Sequence, residues 1–92
     1  MRLARNQVSA LTILAEATEP LAGIEIAERI GGLGRSSIYA ALAALQRDGL
    51  VGAQWDVSGQ RPRRLFHITA LGEQALAVAR QQPAALRLSP AT

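Results

Sequence analysis

Gly34-Arg35-Ser36-Ser37-Ile38-Tyr39-Ala40-Ala41-Leu42-Ala43-Ala44-Leu45-Gln46-Arg47-Asp48-Gly49-Leu50-Val51 is the stretch on which the fold turns. Ile38, Ala41, Leu42 and Leu45 recur at helical spacing and make one apolar stripe facing a core. Opposite them lie Ser36, Ala40, Ala43 and Arg47, a face that is small rather than charged. A helix entering a DNA major groove needs slim side chains where its backbone comes close. It also needs hydroxyl and guanidinium groups for base edges and phosphates, and Arg35, Ser36, Ser37 and Arg47 supply them. An Ala-rich surface helix accounts for the same residues, because Ala is the strongest helix former. The neighbouring segments separate the two readings.

Upstream, Leu3 to about Ala17 is helical in pattern, with Val8, Leu11, Leu14 and Ala15 on one face. Thr18-Glu19-Pro20 closes it, since Pro drives its predecessor out of helical geometry. Leu21 to Ile30 reads as a short second helix, with Ile26, Ala27 and Ile30 inward and Ile24 on a flank. Gly31-Gly32-Leu33-Gly34 is a tight connector into the organising helix. Two short helices joined by a Gly-containing turn, the second slim on its outer face, make a helix-turn-helix candidate.

Downstream, Gly49 ends the third helix as a C-terminal cap. Val51, Ala53, Trp55 and Val57 then alternate with Gly52, Gln54 and Asp56, the pattern of a strand with one buried face, which would place Trp55 in the core. Ser58-Gly59-Gln60 supplies turn residues, and Arg61-Pro62-Arg63-Arg64-Leu65-Phe66-His67-Ile68 returns as the partner strand, with Phe66 and Ile68 inward and His67 at the surface. A hairpin in this position is a wing, and it carries Arg61, Arg63 and Arg64 where a wing would lie on a phosphate backbone. Thr69 is a candidate N-cap for a last helix, Ala70 to Gln82, with Leu71, Ala75, Val78 and Ala79 as its apolar face and Pro83 as its stop. The expected organisation is a winged helix-turn-helix DNA-binding domain at residues 1–82 and a flexible C-terminal tail at 83–92. In fold class this is mainly α (α+β): three helices, a two-stranded wing and a C-terminal helix.

Charge placement supports the wing reading. Residues 1–30 carry Arg2, Arg5 and Arg29 against Glu16, Glu19, Glu25 and Glu28, a net −1. Residues 31–72 carry Arg35, Arg47, Arg61, Arg63 and Arg64 against Asp48 and Asp56, a net +3. That is the footprint expected for a polyanionic partner. The absence of lysine reads more simply as the bias of a GC-rich genome than as selection for bidentate phosphate contacts.

Ninety-two residues with 49% apolar content can bury one modest core, built from aliphatic side chains because aromatics make up only 3%. The chain has no cysteine, so disulfides and thiolate metal sites are excluded. Glu16, Glu19, Glu25 and Glu28 are spread over two helices and a turn, with no His or Cys to join them, and read as solvated faces; neither a metal nor a cofactor is expected. No Ser-His-Asp arrangement, P-loop or dinucleotide motif is present, which argues against an enzyme. The opening Met1-Arg2-Leu3-Ala4-Arg5 lacks the apolar run of a signal peptide and no stretch could span a bilayer, so a cytoplasmic location is expected.

Three blocks of the chain resemble the PadR family of regulators. Pro20-Leu21-Ala22-Gly23-Ile24-Glu25-Ile26-Ala27 is similar to the Gly-Tyr-x-Ile opening of the family's second helix. Ser37 to Leu45 followed by Asp48-Gly49-Leu50-Val51 resembles its recognition helix, Leu-Tyr-x-x-Leu-x-x-Leu with a Gly-Leu-Val ending. Gly59 to Gly72 is similar to its Gly-Arg-Pro-Arg-Lys-x-Tyr-x-Leu-Thr-x-x-Gly wing. The resemblance covers roughly residues 8 to 75. It implies a winged helix-turn-helix transcriptional regulator that binds double-stranded DNA, most simply a repressor. It further implies that the Tyr39 hydroxyl reaches a phosphate, the alternative being a half-buried aromatic at the helix flank. Ser36, Ser37 and Ala40 would face the groove, and Gln60, Arg61, Arg63 and Arg64 would lie at the wing. Arg47 can equally complement the helix dipole. Three departures stand out: Ile24 where the family has an aromatic residue, Gln60 in place of an Arg at the wing tip, and Pro83 where members continue into a longer dimerisation helix.

Surplus apolar residues on the first helix (Leu3, Val8, Leu11) and the last (Leu76, Val78, Leu86) suggest a homodimer through those helices. A winged-helix protein adaptor and a small-molecule-responsive sensor remain as rival functions, because fold does not fix function.

Overall fold

The structure, a computed structural model, describes residues 3–31 and 35–88, and the side chains of these except at position 35 and positions 82–88. The elements run α1 (Arg5–Glu16), β1 (Leu21–Ala22), α2 (Gly23–Ile30), α3 (Arg35–Arg47), β2 (Val51–Asp56), β3 (Arg63–Ile68) and α4 (Ala70–Leu88). This is the expected winged helix-turn-helix, with one strand more. The connector read at Gly31–Gly34 lies, after Gly31, outside the described residues, as do positions 89–92 of the expected tail.

One core lies where the helices meet the base of the hairpin. Leu11, Ile26, Ile38, Leu42, Leu45 and Leu50 are its largest fully buried side chains, joined by Leu14, Val51, Phe66 and Leu76. α3 contributes as its pattern predicts: Ile38, Ala41, Leu42 and Leu45 are buried, while Ser36, Ala40, Ala43 and Arg47 lie on the open side. On α1 the buried residues are Ala10, Leu11 and Leu14. Ala15, expected inward, is exposed, because the core lies on the Ala10 side of the stripe.

The added strand explains how the wing is attached. β1 pairs antiparallel with β3, Leu21 opposite Phe66 and Ala22 opposite Leu65, so β3 is the central strand in the order β1-β3-β2. The sequence pattern starts the second helix at Leu21; instead Leu21 and Ala22 extend, and the helix starts at Gly23. Glu25 stabilises that start, its Oε1 accepting the Ala22 N–H at 2.8 Å while its charge sits in the first turn. At α1 the same half of a capping box recurs, with Gln7 Oε1 accepting the Ala4 N–H at 2.7 Å.

The alternation read from Val51 to Val57 holds, but its core assignment does not. Val51 is buried and Ala53 half-buried, whereas Trp55 is 65% and Val57 72% exposed. The inward face of the hairpin outruns the helices, so its outer residues meet no second layer. Trp55 is therefore a surface residue.

The junction from α3 to β2 and from β3 to α4 is fixed by hydrogen bonds around Gly49 and Thr69. Gly49 takes φ +79°, its N–H bonds to the Gln46 carbonyl and the Leu50 N–H bonds to the Leu45 carbonyl. These are the two bonds of a Schellman cap. The Thr69 hydroxyl donates to the Gly49 carbonyl at 2.8 Å and accepts the Gly72 N–H at 3.0 Å, so it caps α4 while tying it to the end of α3. Gly72 is itself buried, and a Cβ there would collide with the Leu50 carbonyl oxygen.

α4 corrects two expectations. It continues past Pro83 to Leu88, because a single proline removes one helical bond and crowds one carbonyl without necessarily ending the helix. Its buried residues are Gly72 and Leu76, whereas Leu71 and Val78, expected inward, are 52% and 48% exposed. Gly72 brings the helix backbone close to Leu50, which turns that side inward.

Gly72→Ala is expected to destabilise the domain by about 1–3 kcal/mol through overpacking. Thermal unfolding would show this as a drop of roughly 4–8 °C per kcal/mol. Gly59 supplies the control, because a methyl group there would point into open space. Gly59→Ala should shift stability by no more than about 0.5 kcal/mol.

Candidate nucleic-acid interface

Burial of one stripe of α3 forces the opposite stripe into solvent. Ser36, Ala40 and Ala43 are exposed there, Ser37 is exposed on its flank, and Arg47 lies at the far end of the helix. The slimness of this face leaves the helix backbone open to close approach along Ala40 and Ala43. The backbone of Arg35 opens the helix, and its side chain lies outside the described residues. Tyr39 is 45% exposed, and its ring occupies the space that a Cβ on Gly23 would need. The ring packs on the start of α2 while the residue stays partly open to solvent, the half-buried aromatic at the helix flank. Arg47 Nε lies 3.7 Å from Asp48 Oδ1 at the exposed end of α3.

The wing rises beside this face. Arg61, Arg63, Arg64 and Gln60 are all exposed; alternation alone puts Arg64 on the Phe66 side of β3, which is uncovered at this point of the hairpin. The three arginines differ in their surroundings. Arg63 sits opposite Asp56 across the strands, Nη2 to Oδ2 3.8 Å. Arg64 sits opposite Trp55, its guanidinium carbon 5.9 Å from the Trp55 ring centroid and 5.8 Å from that of Phe66. Its Nη2 donates to Gln46 Oε1 at 3.0 Å, joining the wing to the last turn of α3. Among the described residues neither Arg61 nor Arg64 forms an ion pair. The sequence pattern singles out neither Gln46 nor an exposed Trp55. The Trp55–Arg64 pairing is implicit in the hairpin register, but the reach to Gln46 is not.

Between α2, α3 and the wing lies a groove of about 400 Å³. Ile24, Ala43 and Phe66 make it apolar, and Tyr39, Gln46, Arg63 and Arg64 add polar groups. A second hollow, about 370 Å³, gathers Glu16, Glu19, Glu25 and Arg29 beside Pro20. No group of three or more His, Cys, Asp or Glu residues able to hold a metal occurs among the described residues. His67 is exposed and its imidazole covers Gly52, its cross-strand partner.

A helix with exposed hydroxyls and alanines beside an arginine-bearing hairpin on this three-stranded sheet defines the fold class, a winged helix-turn-helix. Residues 10–78 match the model of the transcriptional regulator PadR-like family, and the chain belongs to that family. A PadR family transcription regulator from Clostridium difficile superposes with a TM-score of 0.79 over 94% of this chain and 94% of its own, at 18% identity, a likeness of fold alone. BldR, a transcriptional regulator from Sulfolobus solfataricus, is 30% identical with a TM-score of 0.78, over 91% of this chain and 58% of its own. The PcaV transcriptional regulator from Streptomyces coelicolor, crystallised with its natural ligand, is 28% identical with a TM-score of 0.76, over 97% of this chain and 63% of its own. No curated protein matches the chain. No described helix is long and apolar enough to cross a membrane.

The wing turn is shaped by Asp56, whose Oδ1 accepts the Ser58 hydroxyl at 2.6 Å and the Ser58 N–H at 3.0 Å. Those two bonds hold the Asp56 carboxyl below its ordinary pKa against a smaller opposing effect of desolvation, and the Arg63 guanidinium adds the smallest lowering effect. A depressed folded-state pKa means that the stabilisation is complete above the ordinary aspartate range and is lost as pH falls through the lowered value. Titration of the Asp56 carboxyl carbon by NMR should give a midpoint below that of an unstructured aspartate. The Ser58 amide should shift in the same step, and Asp56→Asn should abolish that shift. A midpoint at or above the ordinary value would disprove the turn geometry.

Proposed function

We propose that this regulator binds double-stranded DNA sequence-specifically as a homodimeric cytoplasmic repressor, α3 entering the major groove and the wing lying on the neighbouring backbone. The observation that carries the reading is the Arg64–Gln46 bond, which sets the arginine-bearing hairpin directly beside the slim face of α3. In this arrangement Ser36, Ser37 and Ala40 face base edges, with Arg35 at the helix start. Tyr39, Arg47, Gln60, Arg61, Arg63 and Arg64 meet the sugar-phosphate backbone. Affinity then comes mainly from the wing, and sequence preference from α3.

Selection of bound sequences from a random duplex pool tests the whole reading: an enriched motif is expected, and no duplex binding at low salt would defeat it. Variants divide the labour. Replacing Arg63 and Arg64 by Ala should weaken preferred and random duplexes alike and make the log K against log salt slope shallower by about 0.9 per lost contact. Ser37→Ala should cost about 1–3 kcal/mol at the preferred site and almost nothing on random DNA if it makes a direct base contact.

The homodimer requires an apolar surface on the outer helices. Leu11 and Leu76, expected to contribute to it, are spent in the protomer's own core, at 0% and 2% exposure. Leu3 and Val8 pack against that core, and the Leu86 side chain lies outside the described residues. What α4 offers is Leu71 and Val78, seven residues apart on one exposed stripe. Light scattering at micromolar concentration should give twice the 9.7 kDa chain mass. Val78→Glu should halve it, and a monomer in both would refute the dimer.

A further inference from the structure

We propose that Trp55 and Gln46 are positioning residues for Arg64, clasping its guanidinium so that it stands ready for one backbone phosphate where the wing meets α3. The inference rests on the DNA-binding reading above and extends it to two residues that the family motifs do not mark.

Trp55 is 65% exposed on a strand whose other inward residues serve the core, so burial does not account for a tryptophan there. The hairpin register places it directly opposite Arg64 on the same face of the sheet. The guanidinium lies against both the Trp55 and Phe66 rings, within the range in which the ring quadrupole attracts a cation. Gln46 Oε1 takes one of its N–H groups at 3.0 Å. A guanidinium has five such donors, so most of the fork stays available. Gln46 is neutral, and the positive charge is held in place without being cancelled. Arg63 contrasts with this, because Asp56 faces it at 3.8 Å and competes with any phosphate.

The consequence is entropic. A free arginine loses rotamer freedom when it engages a ligand, whereas a clasped one has already lost it. Because Gln46 belongs to α3, the clasp also fixes the distance between wing and recognition surface. Removing a clasp residue therefore weakens binding while leaving the charge, and the contact it makes, in place.

The test is a double-mutant cycle on the whole chain, read by duplex affinity and salt slope, with circular dichroism to confirm the fold. Trp55→Ala and Gln46→Ala should each weaken preferred and random duplexes about three- to tenfold, the range for immobilising one long side chain. Both should keep the parent salt slope, whereas Arg64→Ala should lower it by about 0.9. Trp55→Phe should restore most of the affinity. In an Arg64→Ala background neither clasp variant should cost anything further. Trp55 is the sole tryptophan, so its emission should shift on Arg64→Ala in the absence of DNA.

An equal loss from Trp55→Ala with and without Arg64 would mean that the indole touches DNA itself, and would overturn the inference. So would unchanged affinity in Trp55→Ala, or an emission indifferent to Arg64. Any of these results would leave the DNA-binding reading standing, provided the parent binds. A parent that binds no duplex at low salt would remove both.

Discussion

Burial of Ile38, Leu42 and Leu45 is the constraint on which the rest of the structure depends. These side chains are exposed by 1% or less, and with Leu11, Ile26 and Leu50 they form the centre of the core. Burying a large aliphatic side chain is worth about 1.5–3 kcal/mol, so rotation of α3 about its axis is strongly opposed. The rotation fixes everything at the surface. Ser36, Ala40 and Ala43 have to face outward, and the Schellman cap at Gly49 has to send the chain into β2 from the C-terminal end of the same helix. Presentation of the outer face is thus a by-product of core packing, and the two cannot be tuned independently.

The wing inherits its direction from the same source. Leu50 and Val51 anchor β2 in the core, and Phe66 anchors β3. β3 is held on both sides, by β2 and by the two-residue β1 that leads into α2. A hairpin alone is marginal in water, but here its inner half is part of a three-stranded sheet seated on helices. Only the outer half, with Trp55, Asp56, Arg63 and Arg64, depends on cross-strand pairs. Those pairs replace the missing core with a cation against an aromatic ring and an ion pair.

Much of this is legible in the sequence because helical and strand periodicity report which side of an element is buried. The stripe of α3, the Gly49 cap, the Thr69 cap, and the Phe66 and Ile68 side of β3 are all written in residue spacing. The failures have physical causes. β1 is two residues long, and no periodicity exists in two residues. Trp55 follows the correct alternation, but alternation gives a face and says nothing of whether another layer covers it. Apolar character alone points Leu71 and Val78 inward; Gly72, which has no side chain, marks the true contact because it lets α4 approach Leu50. Pro83 has the look of a stop, yet one missing N–H does not end a helix. At the candidate interface the outward side of α3 is legible, since it is the reverse of the buried stripe. The bond from Arg64 to Gln46 is not, because it depends on the angle between a hairpin and a helix. The Ile24 departure is accommodated in the groove beside Tyr39 and Phe66.

The Leu50–Thr69 closure bears on how such a domain can diverge. The Thr69 N–H bonds to the Leu50 carbonyl at 3.1 Å, and the Thr69 hydroxyl bonds to Gly49, so the hairpin is sealed at its base from the body of the protein. Doubling the length of a flexible loop costs only about 0.6 kcal/mol. Insertions between Ser58 and Pro62 therefore cost little in closure entropy, and the seal at the base separates them from the body of the domain. Over evolutionary time the tip can lengthen or change its charge while Gly49, Thr69 and Gly72 stay fixed. Related domains could acquire new reach at the tip without reinventing the core that supports it.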